Sequence, residues 1–68
     1  MTLTTRVYTR GTRIDYDFNV STGVHTVYFH GSPSLKGARG TAVDAIVALA
    51  PFKDNSDVRE LLSWLQVL

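Results

Sequence analysis

The strongest constraint on the fold lies in residues 3 to 30, where apolar and polar side chains alternate along three runs. Successive side chains of a β-strand point to opposite faces of a sheet, so the alternation predicts strands with one buried and one wet face. Gly11-Thr12 and Thr22-Gly23 separate the runs and predict two hairpins. The buried face is then predicted to hold Leu3, Thr5, Val7, Ile14, Tyr16, Phe18, Val20, Val27 and Phe29.

The turn residues predict a register for each hairpin. A two-residue type II′ turn at Gly11-Thr12 places Val7 opposite Tyr16 and Arg6 opposite Asp17 as an ion pair. In the second hairpin, a three-residue loop would place the apolar side chains of Val27 and Phe29 on the charged face. Burial therefore favours a loop of even length. A two-residue loop at Thr22-Gly23 puts Phe18 opposite Val27 and Tyr16 opposite Phe29, and a four-residue loop leaves the same residues on each face.

Residues 31 to 41 read GSPSLKGARGT and predict a loop, because three glycines and a proline break regular structure. A first helix is predicted to begin at Thr41, which has capping-box spacing to Asp44. Its run AVDAIVALA is apolar on nearly every side, so we expect it to be mostly buried and to end at Pro51. A second helix, capped by Asn55 or Ser56, carries an apolar stripe of Val58, Leu61, Leu62, Leu65 and Leu68.

These elements predict one small α+β domain over residues 1 to 68, a three-stranded antiparallel meander followed by two C-terminal helices packed on one face, in the order βββαα. In element order alone, the chain resembles the three-strand-plus-helix DNA-binding domains of some integrases and plant transcription factors.

Composition narrows the function classes. The chain has no cysteine, which excludes disulfides and thiolate zinc sites and fits a reducing compartment. Small domains that lack disulfides and structural metal sites often gain stability by self-association, so a homodimer is expected. The net charge of +1 is too balanced to indicate nucleic acid by itself. The longest apolar stretch, residues 42 to 52, is too short for a membrane span, and a cytoplasmic location is the default expectation.

No catalytic, cofactor or metal constellation emerges from the motifs. His25 and His30 lie five residues apart in one strand and point to opposite faces, so they do not chelate one metal, and both are expected to be ordinary surface histidines. Asp15 is predicted opposite His30. Ser32 could be added to them as a Ser-His-Asp triad, but such a combination can be assembled in almost any chain and does not indicate catalysis. We therefore expect no enzymatic activity.

The polar face of the predicted sheet is the best candidate for a binding surface. Tyrosine and arginine are enriched at protein interfaces, whereas Asp15 and Asp17 at its centre would repel phosphates. A protein is therefore favoured over nucleic acid as the partner of this face. The alternative is that the face binds no partner and is simply exposed to solvent. The predicted partner-binding residues are Arg6, Tyr8, Arg10, Arg13, Asp15, Asp17, Tyr28 and His30, with Arg10 and Arg13 as a basic rim beside the turn.

Two further surfaces are suggested. Lys36 and Arg39 stand just before a helix N-terminus and form a possible anion or nucleic-acid contact, although a flexible loop is the simpler interpretation. The third strand is predicted as an unprotected edge that would pair with a second copy in a six-stranded sheet, or with a partner strand, and Trp64 with Val67-Leu68 offers a second dimer surface. The sequence thus predicts a small protein-interaction module, a regulator or inhibitor of phage or mobile-element type; the alternative is a nucleic-acid-binding protein.

Overall fold

The computed structural model describes residues 1–67 and confirms the α+β class, with an antiparallel sheet and two C-terminal helices packed on one face. The strands are β1 (Thr2–Thr9), β2 (Thr12–Asn19), β3 (Val24–His30) and β4 (Ala38–Gly40). The helices are α1 (Ala42–Leu49) and α2 (Ser56–Gln66), joined through a 3₁₀ turn at Ala50–Phe52. The strand order is β1-β2-β3-β4, so the sheet has one strand more than the sequence predicted.

The first hairpin keeps its predicted faces but not its predicted register. Val7 pairs with Ile14 and Arg6 pairs with Asp15, a shift of two residues. The turn lies at Arg10-Gly11, with φ values of 51° and 73°. Positive φ at both central residues is typical of type I′, whose twist matches that of the strands, so the predicted type II′ turn is wrong. A shift of two leaves every side chain on its face, which is why burial alone did not distinguish the registers.

The second hairpin confirms the even-length loop, which spans the four residues between Asn19 and Val24. Tyr16 pairs with Val27 and Phe18 pairs with His25, again two residues from the predicted partners. The side chain of Asn19 accepts hydrogen bonds from the amides of Ser21 and Thr22, which holds this longer loop. Val20 therefore lies in the loop and is exposed, contrary to its predicted place on the apolar face.

β4 is the element that the sequence did not predict. Its residues pair with the first half of β3, Gly40 with His25 and Ala38 with Val27. β3 is consequently an internal strand over this stretch, and the prediction that it forms an open edge is wrong there. The three residues of β4, Ala38 to Gly40, are too few to show an alternating pattern, so pairing with β3 alone defines the strand.

The core lies between the apolar face of the sheet and the helices. It confirms the α2 stripe at Val58, Leu61, Leu62 and Leu65, whereas Leu68 lies outside the described residues. Asn55, one of the two predicted candidates, is the α2 cap, and its side chain accepts from the amides of Asp57 and Val58. The remaining core side chains are Val7, Ile14, Tyr16, Val27, Phe29, Ala45, Leu49 and Phe52.

α1 begins as predicted but is not mostly buried. The predicted capping box is present, with the Thr41 amide donating to Asp44 Oδ2 at 2.8 Å and the Thr41 side chain facing the backbone of Asp44. The Thr41 hydroxyl also lies 3.1 Å from the same carboxylate oxygen. Only Ala45 and Leu49 are buried along the helix, while Val43 and Val47 are 65% and 68% exposed. α1 contacts the sheet and α2 on its inner side only, so its outer apolar side faces solvent.

Candidate functional site

The polar face of the sheet, on the side opposite the helices, brings together every predicted partner-binding residue except Arg10. Two cross-strand rows form its centre, one with Tyr8, Arg13 and His30 and the other with Arg6, Asp15 and Tyr28. Paired residues share a face of a sheet, so the register places all of these side chains on one surface. Asp17 continues the same face between Thr4 and Thr26.

Asp15 is the hub of this face. Its Oδ1 accepts from Nε of Arg6 at 3.1 Å, and its Oδ2 lies 2.7 Å from Nε2 of His30 and 3.5 Å from Nη2 of Arg13. Burial alone would raise the pKa of Asp15, but the hydrogen bonds from His30 and Arg6 and the positive charges of Arg13 and Arg6 hold it below its ordinary value. The predicted Arg6–Asp17 pair is therefore replaced by Arg6–Asp15, as the shifted register requires.

His30 contacts Asp15 as expected, although it reaches the carboxylate diagonally from its place opposite Arg13. Nη2 of Arg13 lies 3.1 Å from Nδ1 and 3.0 Å from Nε2 of His30. With the ring proton on Nε2, His30 donates to Asp15 and only its Nδ1 can accept from Arg13. The rings of His30 and Tyr28 pack edge to face, with 4.4 Å between their centroids. These contacts make Arg6, Arg13, Asp15 and His30 one connected group, which we call the Asp15 network.

Two exposed tyrosines flank the Asp15 network. Tyr8 on β1 is 68% exposed and Tyr28 on β3 is 57% exposed. They stand on opposite sides of β2, so the two phenol rings present aromatic area on either side of a cross-linked polar centre. Asp17 accepts a hydrogen bond from Thr4 and remains exposed beside them.

Arg10 does not belong to the polar face. As the first residue of the β1–β2 turn, it directs its guanidinium to the helical side of the molecule, where Nη2 lies 2.9 Å from Oδ2 of Asp54. The same guanidinium lies 5.5 Å from the centre of the Phe52 ring. Arg10 and Arg13 thus each have their own acidic partner, and they do not form the predicted basic rim.

Lys36 and Arg39 are both exposed, and Lys36 lies in the irregular loop before β4, as the simpler interpretation expected. Arg39 belongs to β4 and pairs with Thr26, so it extends the polar face. The carboxylate of Asp44 already caps the start of α1, the place suggested for a possible anion contact. A second negative group there would be repelled, so the geometry offers no support for that predicted anion contact.

His25 lies in the core and not on the surface where the sequence predicted it. It is only 5% exposed, contrary to the expected surface position. Its Nδ1 lies 2.6 Å from the hydroxyl of Tyr16, and its ring stacks on Phe18 with 4.4 Å between centroids. The available signal was strand parity, because His25 is two residues before Val27 and shares its apolar face.

Within residues 1–67, no group of three or more His, Asp or Glu side chains is placed to hold a metal ion. Neither helix in this part of the chain has the length and hydropathy needed to cross a bilayer. No family model matches the chain, and neither a curated protein nor a solved structure matches it.

Proposed function

We propose that this chain is a small non-enzymatic protein-interaction module, a regulator or inhibitor that binds a protein partner through the polar face of its sheet. The observation that carries the proposal is the pair of exposed tyrosines, Tyr8 and Tyr28, on either side of the Asp15 network. Tyrosine supplies a large contact area with little loss of side-chain freedom, which is why it is enriched in protein-binding surfaces.

The charges of the face support a protein partner over nucleic acid. Arg6 and Arg13 both lie against Asp15, and Asp17 adds a second negative charge. A phosphate backbone would have to compete with these carboxylates for the arginines, whereas a protein surface of mixed charge matches the face directly. Arg39, which has no acidic group within 4.0 Å among the described residues, is the one cation of the face that favours the nucleic-acid alternative.

The area of the polar face bears on affinity. Strand spacing and length give a projected area of about 400 Å². Specific interfaces bury roughly 800 Å² on each partner, so a contact limited to this face is at the small end of the range. We therefore expect micromolar affinity for a partner that uses the face alone.

The test is capture and identification of a partner from the source cell, followed by titration with purified components. Both tyrosine side chains are exposed, so Tyr8→Ala/Tyr28→Ala is expected to fold and to weaken binding at least about tenfold, as for truncated hot-spot residues. Val43→Ala/Val47→Ala, on the exposed side of α1, is the matched control and should bind normally. Equal binding by the tyrosine variant contradicts the proposal.

The nucleic-acid alternative has a separate signature. Labelled single- and double-stranded DNA and RNA are titrated with the protein at low salt and again at about 200 mM salt. Phosphate contacts release counterions, so real binding weakens steeply with salt. Such binding, lost in Arg39→Ala, would support the alternative over the protein partner.

Self-association and a cytoplasmic location form part of the same proposal. A chain of 68 residues without cysteine has a thin stability margin, and the exposed Val43 and Val47 leave apolar surface for a second copy to cover. Sedimentation at tens of micromolar tests the homodimer, and a purely monomeric profile contradicts it.

A further inference from the structure

β1 is the long free edge of the sheet. It runs for eight residues, Thr2–Thr9, and pairs only with β2, whereas the opposite edge, β4, is three residues long. Natural edge strands are usually protected by proline, lysine, bulges or a covering element. β1 contains neither proline nor lysine, and its pairing with β2 runs without interruption from Thr2 to Thr9. The carbonyl of Tyr8 accepts from Nδ2 of Asn55 at 3.1 Å, and the outer backbone groups that precede it in β1 are a template for another strand.

A groove lies directly beneath this edge, between the core face of β1 and helix α2. It encloses about 480 Å³ and is lined on its apolar side by Leu3, Val7, Leu61 and Trp64. Leu3 is 46% exposed, and Trp64 is only partly buried, so the helices leave the apolar face uncovered beneath β1. A strand added to β1 would direct every second side chain into this groove.

The groove is also acidic. Asp57 and Glu60 of α2 line it, and no cation lies within 4.0 Å of either carboxylate among residues 1–67. Arg6 also lines the groove, but its guanidinium is directed to Asp15 on the polar face. A strand carrying lysine or arginine on its groove side would complement these two carboxylates.

We propose that the β1 edge binds an extended segment of a partner protein as a fifth strand of the sheet. The segment places apolar side chains against Leu3 and Trp64 and at least one basic side chain beside Asp57 and Glu60. Backbone hydrogen bonds to β1 supply affinity, and the groove supplies specificity. The inference rests on the proposed function in taking a protein as ligand, but it assigns a different surface.

A second copy of this chain fits the edge less well than a basic segment does. The groove side of β1 carries Leu3, Thr5, Val7 and Thr9, with no cation among them. Pairing of two β1 edges about a twofold axis would also bring a second Asp57 and Glu60 to the same groove. Like charges at such an interface oppose association.

The experiment selects ligands from a displayed library of random nine-residue peptides, with the full chain as bait. We expect enriched peptides in which apolar residues alternate and lysine or arginine recurs on the apolar side. Synthetic copies of these peptides are N-methylated either at the odd or at the even residues, which removes the backbone donors along one edge of the peptide strand. The copies that lose the donors facing β1 should not bind, and the other copies should still bind. Failure to enrich any such peptide overturns the proposal.

Paired variants separate the groove from general charge effects. Glu60→Gln and Gln66→Lys each change the net charge by one, but only Glu60 lines the groove. Loss of one partly exposed ion pair should weaken peptide binding about three- to fivefold in Glu60→Gln, whereas Gln66→Lys should bind normally. Leu3→Ser should also weaken binding, and equal effects of the Glu60 and Gln66 variants would overturn the assignment.

Tyr28→Ala distinguishes this inference from the polar-face proposal, because Tyr28 lies on β3, across β2 from the β1 edge. Peptides that bind Tyr28→Ala normally and lose affinity for Glu60→Gln support the groove whatever the outcome for the polar face. Peptides that depend on Tyr28 and ignore Glu60 contradict it. Sedimentation gives a further outcome that contradicts the proposal. If the protein forms a dimer that does not bind the selected peptide and is not dissociated by it, the β1 edge is assigned to a second copy.

Discussion

The hydroxyl of Tyr16 and Nδ1 of His25 share a hydrogen bond of 2.6 Å inside the core. Tyr16 is 1% exposed and His25 is 5% exposed, so water does not replace this bond when either partner is removed. Trp64 packs edge to face with both Tyr16 and Phe18, so it covers the Tyr16–His25 hydrogen bond from the side of α2. Burial raises the pKa of Tyr16 to about 12, so the phenol keeps its proton at neutral pH.

Tyr16→Phe should lower the free energy of unfolding by about 1–3 kcal/mol, because it leaves a buried imidazole nitrogen without its partner. Chemical denaturation at neutral pH measures the change. Tyr28→Phe, which removes a hydroxyl from an exposed ring, is the matched control and should have little effect. Equal stability of Tyr16→Phe and wild type would show that the hydrogen bond contributes nothing.

The stability of the fold should fall as the pH drops below 6.5. Burial lowers the pKa of His25 from its ordinary value of 6.5, so the native state binds fewer protons than the unfolded chain in this range. Stability is then highest above pH 6.5 and declines as the unfolded imidazole gains its proton. The lowered pKa values of Asp15 and Asp54 stabilise the fold above about pH 4, and this stabilisation is lost only as the pH falls below that value.

Denaturation series between pH 5 and 8 check this expectation. His25→Gln removes the titrating group while keeping a polar side chain, so its stability should vary less over this interval than that of the wild type. A variant whose pH profile matches that of the wild type would assign the dependence to another group.

The inner and outer sides of α1 should respond very differently to truncation. Leu49 is fully buried, and Leu49→Ala should cost about 2–5 kcal/mol through lost burial and a cavity. Val47 lies on the exposed side of the single chain, and Val47→Ala should change the stability of the monomer, at concentrations too low for self-association, by less than about 0.5 kcal/mol. Thermal and urea unfolding measure both. A large loss in Val47→Ala would mean that another surface, such as a second copy, covers the outer side.

Gly37 should be intolerant of a side chain because the backbone of Val27 approaches it closely. A Cβ at this position would collide with the carbonyl oxygen of Val27. Gly37→Ala is therefore expected to displace β4 and to cost about 1–3 kcal/mol. Amide exchange should quicken in the β3 residues that face β4, while the exposed control Lys36→Ala should leave their exchange unchanged. Unchanged protection in Gly37→Ala would contradict the close approach.

The sequence predicted the fold class, the two faces of the first three strands and the caps of both helices. Each of these depends on local chemistry, as the bonds of Thr41 with Asp44 and of Asn55 with the start of α2 illustrate. It did not predict the register, because shifting Val7 from Tyr16 to Ile14 preserves every apolar position on its face. Nor did it predict β4, whose pairing is decided by β3.

The candidate site divides in the same way. Strand parity determined that Arg6, Tyr8, Arg13, Asp15, Asp17, Tyr28 and His30 share one face, because side-chain direction alternates along each strand. Only the tertiary structure decided which charges meet, since the true register directs Arg6 to Asp15 and the turn sends Arg10 to Asp54. The burial of His25, the exposure of Val47 and the groove under β1 likewise depend on where the helices lie, and alternation along one strand carries no information about that.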